Sequence, residues 1–163
     1  MSNSDEWERR VEALWARFDD DHPEEFLARM DVLVTELPES DPAGLFERAS
    51  ALDATDRTAR AVPLYQRALA AGLDGPRRRQ AVIQLGSSLR LLGRADEAVD
   101  LLRAERAAGS DELDDAVSAF LALALADAGA GREAVSVALA ALAPHVPRYQ
   151  RALGEYARLL TES

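Results

Sequence analysis

Residues 82–102 read VIQLGSSLRLLGRADEAVDLL, a stretch with the layout of two helices joined by a glycine turn. Apolar residues recur every three or four positions on both sides of Gly93, which predicts two amphipathic helices. Gly86 lies inside the first helix, where a small residue lets the second helix cross close to it. Gly93 follows that helix, and glycine tolerates the left-handed dihedrals that end helices. The stretch therefore predicts a helix hairpin.

The same layout occurs three times along the chain. Three sets of equivalent positions repeat at intervals of 37 and then 36 residues: Ala49, Gly86 and Ala122; Leu52, Leu89 and Leu125; Ala61, Ala98 and Ala134. One hairpin cannot bury both of its faces, so hairpins of this kind stack on one another. The repeat predicts three stacked hairpins.

These residues resemble the tetratricopeptide repeat family, whose pattern runs Trp, Leu-Gly, Tyr, then Ala, Phe, Ala. The matching positions are Leu45, Ala49, Leu52, Ala61, Tyr65 and Ala68 in the first repeat; Val82, Leu85, Gly86, Leu89, Gly93, Ala98 and Leu102 in the second; and Leu121, Ala122, Leu125, Ala134, Ala138 and Ala141 in the third. The chain departs from the pattern at Glu105, where a small residue is usual. The segment Leu69–Leu102 is similar to a short bacterial family of such repeats of unassigned function, and this resemblance implies a dimer.

The expected fold is all-α, a right-handed α-solenoid of about three hairpins in a single domain over residues 1–163. An N-terminal helix pair is expected over 5–37, the repeats over 42–146 and a capping helix over 147–161. The bias to 32 Ala and 24 Leu against one Ile favours helices. A generic alanine-rich helical bundle is the alternative.

The composition restricts the partners and the compartment. The net charge of −10 repels nucleic acid and anionic membranes, so we expect neither as a partner. The N-terminal residues show no apolar signal-peptide segment, and we expect a cytoplasmic protein. Cysteine is absent, which excludes disulfides. All 19 basic residues are Arg, which indicates a GC-rich bacterial genome.

No pattern in the sequence predicts catalysis, a cofactor or a metal site. His22 follows the acidic run 19–21, which we interpret as a solvated loop. Ser87 and Ser88 lie on a helix without a nearby base. The run 129–132, GAGR, lacks the Lys-Ser/Thr ending of a phosphate loop and is interpreted as a turn. We therefore expect a protein that is not an enzyme, with an enzyme of unknown type as a remote alternative.

Two further groups of residues are candidates for contact with a partner. Arg77, Arg78 and Arg79 could bind an acidic peptide or a phosphate, or could form a solvated helix start. Trp7 and Trp15 could anchor a partner, although their helical spacing favours packing in the core or in a dimer. The apolar load of this N-terminal helix, together with the frequency of two-fold dimers, predicts a homodimer.

The family resemblance implies a concave groove, lined by the first helix of each repeat, that binds a protein or peptide. The positions that it assigns to the groove are Phe46, Ser50, Asp53, Gln80, Ile83, Ser87, Arg90, Ala119, Leu123 and Asp127. Phe46, Ile83 and Leu123 are expected to form one exposed apolar patch. The groove offers Arg90 as its one cation, which argues against recognition of an acidic peptide tail. A groove filled by the chain itself or by its twin is the alternative.

Overall fold

The computed structural model describes residues 3–19 and 22–162, and these residues form helices and no strand. The helices are α1 (Asn3–Trp15), α2 (Pro23–Val34), α3 (Pro42–Ala54), α4 (Thr58–Ala70), α5 (Gly75–Leu91), α6 (Ala95–Ala108), α7 (Asp114–Asp127), α8 (Gly131–Leu142) and α9 (Gln150–Leu159), with a short 3-10 helix, Ala143–His145, before α9. The predicted all-α fold is confirmed. Over the described ranges, every helix is too short or too polar to cross a membrane.

Local sequence signals explain where several helices begin and end. Pro23 opens α2 and is followed by two glutamates in the first turn, where the helix dipole favours negative charge. Asp41 caps α3, since its carboxylate accepts a hydrogen bond of 3.0 Å from the backbone N–H of Gly44. Gly93 and Gly129 follow α5 and α7 with φ of 77° and 81°, a left-handed backbone that favours glycine.

The chain divides into two compact units, Met1–Arg78 and Arg79–Ser163. In the first unit, α1 and α2 enclose an apolar cluster whose buried members are Trp7, Val11, Phe26, Met30, Leu33 and Ala51. The α3–α4 hairpin adds a second set of buried residues, among them Ala49, Leu52, Ala61 and Tyr65. The predicted grouping of residues 1–163 into a single domain stays a prediction.

The second unit is built around the hairpin that the sequence indicates most clearly. A Cβ placed on Gly86 of α5 would lie 2.7 Å from Cδ1 and 2.8 Å from Cγ of Leu102 on α6. Leu102 is fully buried, so the two helices cross where glycine leaves room for its side chain. The predicted role of Gly86 at a helix crossing is confirmed.

The repeat register is visible in the burial of equivalent residues. Leu52, Leu89 and Leu125 are at most 4% exposed, and each lies three residues after the small residue of its own repeat. The alanine set Ala61, Ala98 and Ala134 is buried as well. The third repeat departs from this pattern one helical turn after Ala134. Ala138 is exposed, whereas Tyr65 and Leu102, the equivalent residues of the first and second repeats, are buried.

Candidate partner-binding face

Ion pairs at both ends hold α5 and α7 side by side in the second unit. Near the start of the two helices, Nη2 of Arg79 donates to Oδ1 of Asp114 over 2.7 Å. Near their ends, Nη1 of Arg90 donates to Oδ2 of Asp127 over 2.8 Å. One ion pair joins the starts of the two helices and the other joins their ends. The helices therefore run in the same direction and present one continuous surface.

The solvent side of this helix pair, which we name the α5–α7 face, is mostly neutral. It consists of Gln80, Ser87 and Leu91 on α5 and Ala119, Leu123 and Ala126 on α7, all of them exposed except the half-buried Ser87. Leu91 is 62% exposed and Leu123 is 47% exposed. Small alanine side chains on either side of Leu123 let another chain approach the α7 backbone closely. The face suits contact with an apolar side chain more than contact with a charged one.

A cluster of charges surrounds the buried Arg79 near the start of α5 and α7. Arg79 is only 7% exposed, and its Nη1 lies 3.1 Å from Oδ1 of Asp111. Its Nε lies 3.8 Å from Oε1 of Glu105 and makes no hydrogen bond to any described residue. A hydrogen bond from Ser110 Oγ, and then the backbone N–H of Asp111 and the Arg79 cation, hold the pKa of Asp114 below its usual range. Each charge has an opposite charge nearby, so the cluster fixes the loop before α7 instead of offering a ligand site.

Of the predicted groove residues, four in the second unit are exposed to solvent. These are Gln80, Ala119, Leu123 and Asp127, with Ser87 and Arg90 half-buried. The prediction of an apolar patch exposed through Phe46, Ile83 and Leu123 is wrong for two of its members. Phe46 and Ile83 are 5% and 7% exposed, because both side chains serve packing.

The other predicted groove residues of the first unit lie close to a buried tyrosine. Ser50 is buried and its Oγ lies 3.5 Å from the hydroxyl of Tyr65, while Asp53 is half-buried. Burial raises the pKa of the Tyr65 hydroxyl well above its usual range. Phe46 and Ser50 are therefore part of the α3–α4 packing, and neither offers a free surface to a partner.

Arg77 and Arg79 of the predicted basic cluster have carboxylate partners within their own units. In the first unit, Arg77 binds both oxygens of Glu8, with Nη1 to Oε1 at 2.8 Å, and its Nε donates to Glu47 over 2.8 Å. The guanidinium also lies 5.8 Å from the ring centre of Trp7. Arg78 is exposed and has a partner of its own. The hypothesis that this cluster binds an external anion gains no support from Arg77 or Arg79.

The N-terminal aromatic residues pack inside the first unit. Trp7 is 4% exposed and its indole N–H donates to the carbonyl of Leu33 over 2.9 Å. The ring centres of Trp15 and Phe18 lie 4.9 Å and 4.7 Å from that of Phe26. Packing in the core is confirmed for these residues. These aromatic residues therefore no longer argue for a homodimer, which stays a prediction.

The remaining candidates for chemistry each have a place in the local structure of their own unit. His22 Nδ1 lies 2.9 Å from Oδ2 of Asp19 on an exposed loop, and residues 20 and 21 lie outside the described ranges. Ser88 is fully buried. The run 129–132 forms the turn into α8, as predicted. In the described part of the chain, no three potential metal ligands come together.

Two residues of the α5–α7 face were missed by the sequence reasoning, Leu91 and Ala126. Leu91 lies four positions after Ser87, so it continues the stripe that begins at Gln80 and Ser87. Ala126 lies three positions after Leu123 in the same way. Both residues are next to the last predicted position of their helix, Arg90 on α5 and Asp127 on α7, so widening each stripe by one residue would have found them.

Comparison with known proteins points to one family. The family model with the description "Tetratrico peptide repeat" matches residues 42–160 of this chain. A solved structure named "MamA RS-1 ArsTM double mutant" is similar over 100% of this chain and 88% of that chain, with a TM-score of 0.66. Its sequence identity of 22% means that this likeness shows the fold alone. No curated protein matches the sequence significantly.

Proposed function

Since this chain belongs to the Tetratrico peptide repeat family, we propose that it is an interaction scaffold that binds a peptide or a helix on the α5–α7 face. Proteins of this family generally bind other proteins and are typically scaffolds without enzymatic activity. Function then depends on shape, because stacked helices hold a surface in place and the partner adapts to it.

The observation that carries the proposal is the exposure of Leu123 on a helix that is fixed at both ends. Leu123 is 47% exposed, with exposed alanines four residues before it and three residues after it. The pairs Arg79–Asp114 and Arg90–Asp127 bind α7 to α5 on either side of it. A preorganised surface loses little conformational entropy when a partner binds.

The charge pattern of the face indicates the chemistry of the partner. Arg90 and Asp127 are the charged groups that border Leu123, and they neutralise each other over 2.8 Å. An acidic peptide tail would find Arg90 already bound to a carboxylate. We therefore propose a partner with apolar side chains spaced along a helix, which would contact Leu91 and Leu123, and with polar groups for Gln80 and Ser87.

Site-specific photo-crosslinking in the native host tests this proposal. A photoreactive phenylalanine analogue at Leu123 should capture a discrete partner protein. The same analogue at Val135 is the matched control, because Val135 is 49% exposed but lies on α8. The substitution Leu123→Asp should weaken the recovered complex, since it places a charge in an apolar contact. Identical products from both positions, or none from Leu123, would overturn the assignment of this face.

A further inference from the structure

The last helix of the second unit leaves several large apolar side chains exposed to solvent. Tyr149 and Tyr156 are 79% and 65% exposed, and Leu159 is 45% exposed. The exposed Ala152, Tyr156 and Leu159 lie at helical spacing on α9, and Tyr149 lies just before the helix beside Ala152; we name these four residues the α9 face. The opposite side of α9 packs on α8, where Ala157 is buried and its carbonyl accepts a hydrogen bond of 2.6 Å from Ser136 Oγ.

The rings of the two tyrosines border a hollow above Ala152. This concavity has a volume of about 470 Å³ and is lined by Tyr149, Gln150, Arg151, Ala152, Glu155 and Tyr156. Bulky side chains on both sides of a small one form the kind of hole that accepts a side chain from a facing helix.

The residues around this hollow are self-complementary. Residues 149–156 read YQRALGEY, with a tyrosine at each end. When two such helices cross antiparallel with the two-fold axis midway between Ala152 and Leu153, Tyr149 of one copy meets Tyr156 of the other. The same operation brings Arg151 close to Glu155 of the other copy, because the two residues lie on opposite sides of that axis, 1.5 and 2.5 positions from it.

We propose that the α9 face binds the α9 face of a second copy of this chain, with two symmetric Arg151–Glu155 contacts. Among the described residues, Arg151 makes no hydrogen bond or ion pair within its own chain. Glu155 binds Arg158 over 2.6 Å and has capacity for a further donor. This interface is separate from the α5–α7 face, so either proposal can fail without the other.

The backbone of Tyr149 is left-handed, with a φ of 69°, which is unfavourable for a bulky residue. Tyr149 lies just before α9, where its carbonyl accepts a hydrogen bond of 2.9 Å from the backbone N–H of Leu153. Its side chain stays 79% exposed, so the ring is accessible to a second copy.

The surface area sets the expected strength of association. Standard interfaces bury about 800 Å² on each partner, whereas an aromatic side chain contributes about 150–250 Å² when it is fully buried. Two tyrosines and a leucine on one helix therefore give a small interface. We expect a dimer with a dissociation constant in the micromolar range, which forms and separates as the concentration changes.

Sedimentation equilibrium of the full chain over a range of concentrations tests the proposal. The wild type should shift from monomer to dimer, and Tyr156→Ser should shift less. The charge reversals Arg151→Glu and Glu155→Arg should each weaken self-association about tenfold or more, because each faces like charges across the axis. An equal mixture of the two variants should recover the dimer, since one chain then carries two glutamates at positions 151 and 155 and faces two arginines on the other. Tyr149→Gly should weaken the dimer without lowering the melting temperature, because glycine relieves the strain.

Controls on another surface make the result specific. Leu123→Ser changes the α5–α7 face and should leave the dissociation constant of the dimer unchanged. Two results would overturn the proposal: a wild type that stays monomeric at every concentration, or a dimer that neither reversal weakens. A mixture of the two reversal variants that stays monomeric would also overturn the antiparallel register.

Discussion

The substitution Gly86→Ala tests the packing of the central hairpin. The added Cβ would lie 2.7 Å and 2.8 Å from two carbons of Leu102, about 1 Å inside normal carbon–carbon contact. Leu102 is fully buried, so its side chain can move away only by displacing the residues packed around it. Overpacking of this kind costs about 1–3 kcal/mol, while replacing glycine within a helix gains about 1 kcal/mol. We therefore expect a net loss of about 0–2 kcal/mol, and a larger loss for Gly86→Leu.

A double-mutant cycle separates the two contributions. Leu102→Ala alone should cost about 2–5 kcal/mol, because it leaves a cavity. In that background Gly86→Ala meets no obstacle, so the helix-propensity gain should remain and the added methyl group should fill part of the cavity. The coupling free energy between the two substitutions should be about 1–3 kcal/mol.

Urea denaturation followed by far-ultraviolet circular dichroism gives the free energies of unfolding. Gly154→Ala is the matched control, because Gly154 lies inside α9 and its Cβ would have nothing within 4 Å. That control should be stabilising, by about 0.5–1 kcal/mol. The reasoning is refuted if Gly86→Ala stabilises the protein as much as Gly154→Ala does, or if the cycle shows no coupling.

Three further substitutions and one control, Glu36→Ala, are checked by denaturation. Glu47→Ala should cost about 2–4 kcal/mol by removing the buried acceptor of Arg77, whereas Glu36→Ala, in an exposed ion pair, should change the midpoint little. Ile83→Asp should destabilise the second unit even without a partner, because Ile83 is 7% exposed. The depressed pKa of Asp114 contributes stability above about pH 4 that is lost as pH falls through the folded value, so Asp114→Asn should be less stable than wild type at neutral pH and the gap should close in acid. Each expectation has a result that would contradict it. These results are equal destabilisation by Glu47→Ala and Glu36→Ala, an unchanged free energy of unfolding for Ile83→Asp, and a stability difference between Asp114→Asn and wild type that does not vary with pH.

The repeat could be predicted from the sequence because it depends on spacing within one hairpin. Two neighbouring helices cross closely at Gly86 and Ala98, and a close crossing requires a small residue. Small residues at a fixed interval in the sequence therefore indicate where the helices cross. The helix starts at Pro23 and Pro42 are equally local, since proline fixes its own dihedral and favours the first turn. Signals of this kind need no knowledge of distant residues.

The exposure of individual face residues could not be predicted in the same way. Phe46 and Ile83 occupy positions that the family resemblance assigns to the groove, but their burial depends on how neighbouring helices pack around them. The Arg79 cluster depends on carboxylates 26 to 35 positions away, at Glu105 and Asp114. One signal was visible, because Glu105 replaces the usual small residue and a buried carboxylate needs a buried cation.

The central claim is that the α5–α7 face binds the partner. Methyl NMR of the labelled protein, before and after addition of the partner identified by cross-linking, tests this claim most directly. The account predicts that adding the partner shifts the methyl resonances of Leu91, Ala119 and Leu123 and leaves those of Val135 and Leu142 on α8 unchanged. Shifts confined to α8 or α9, with the resonances of the α5–α7 face unmoved, would contradict it.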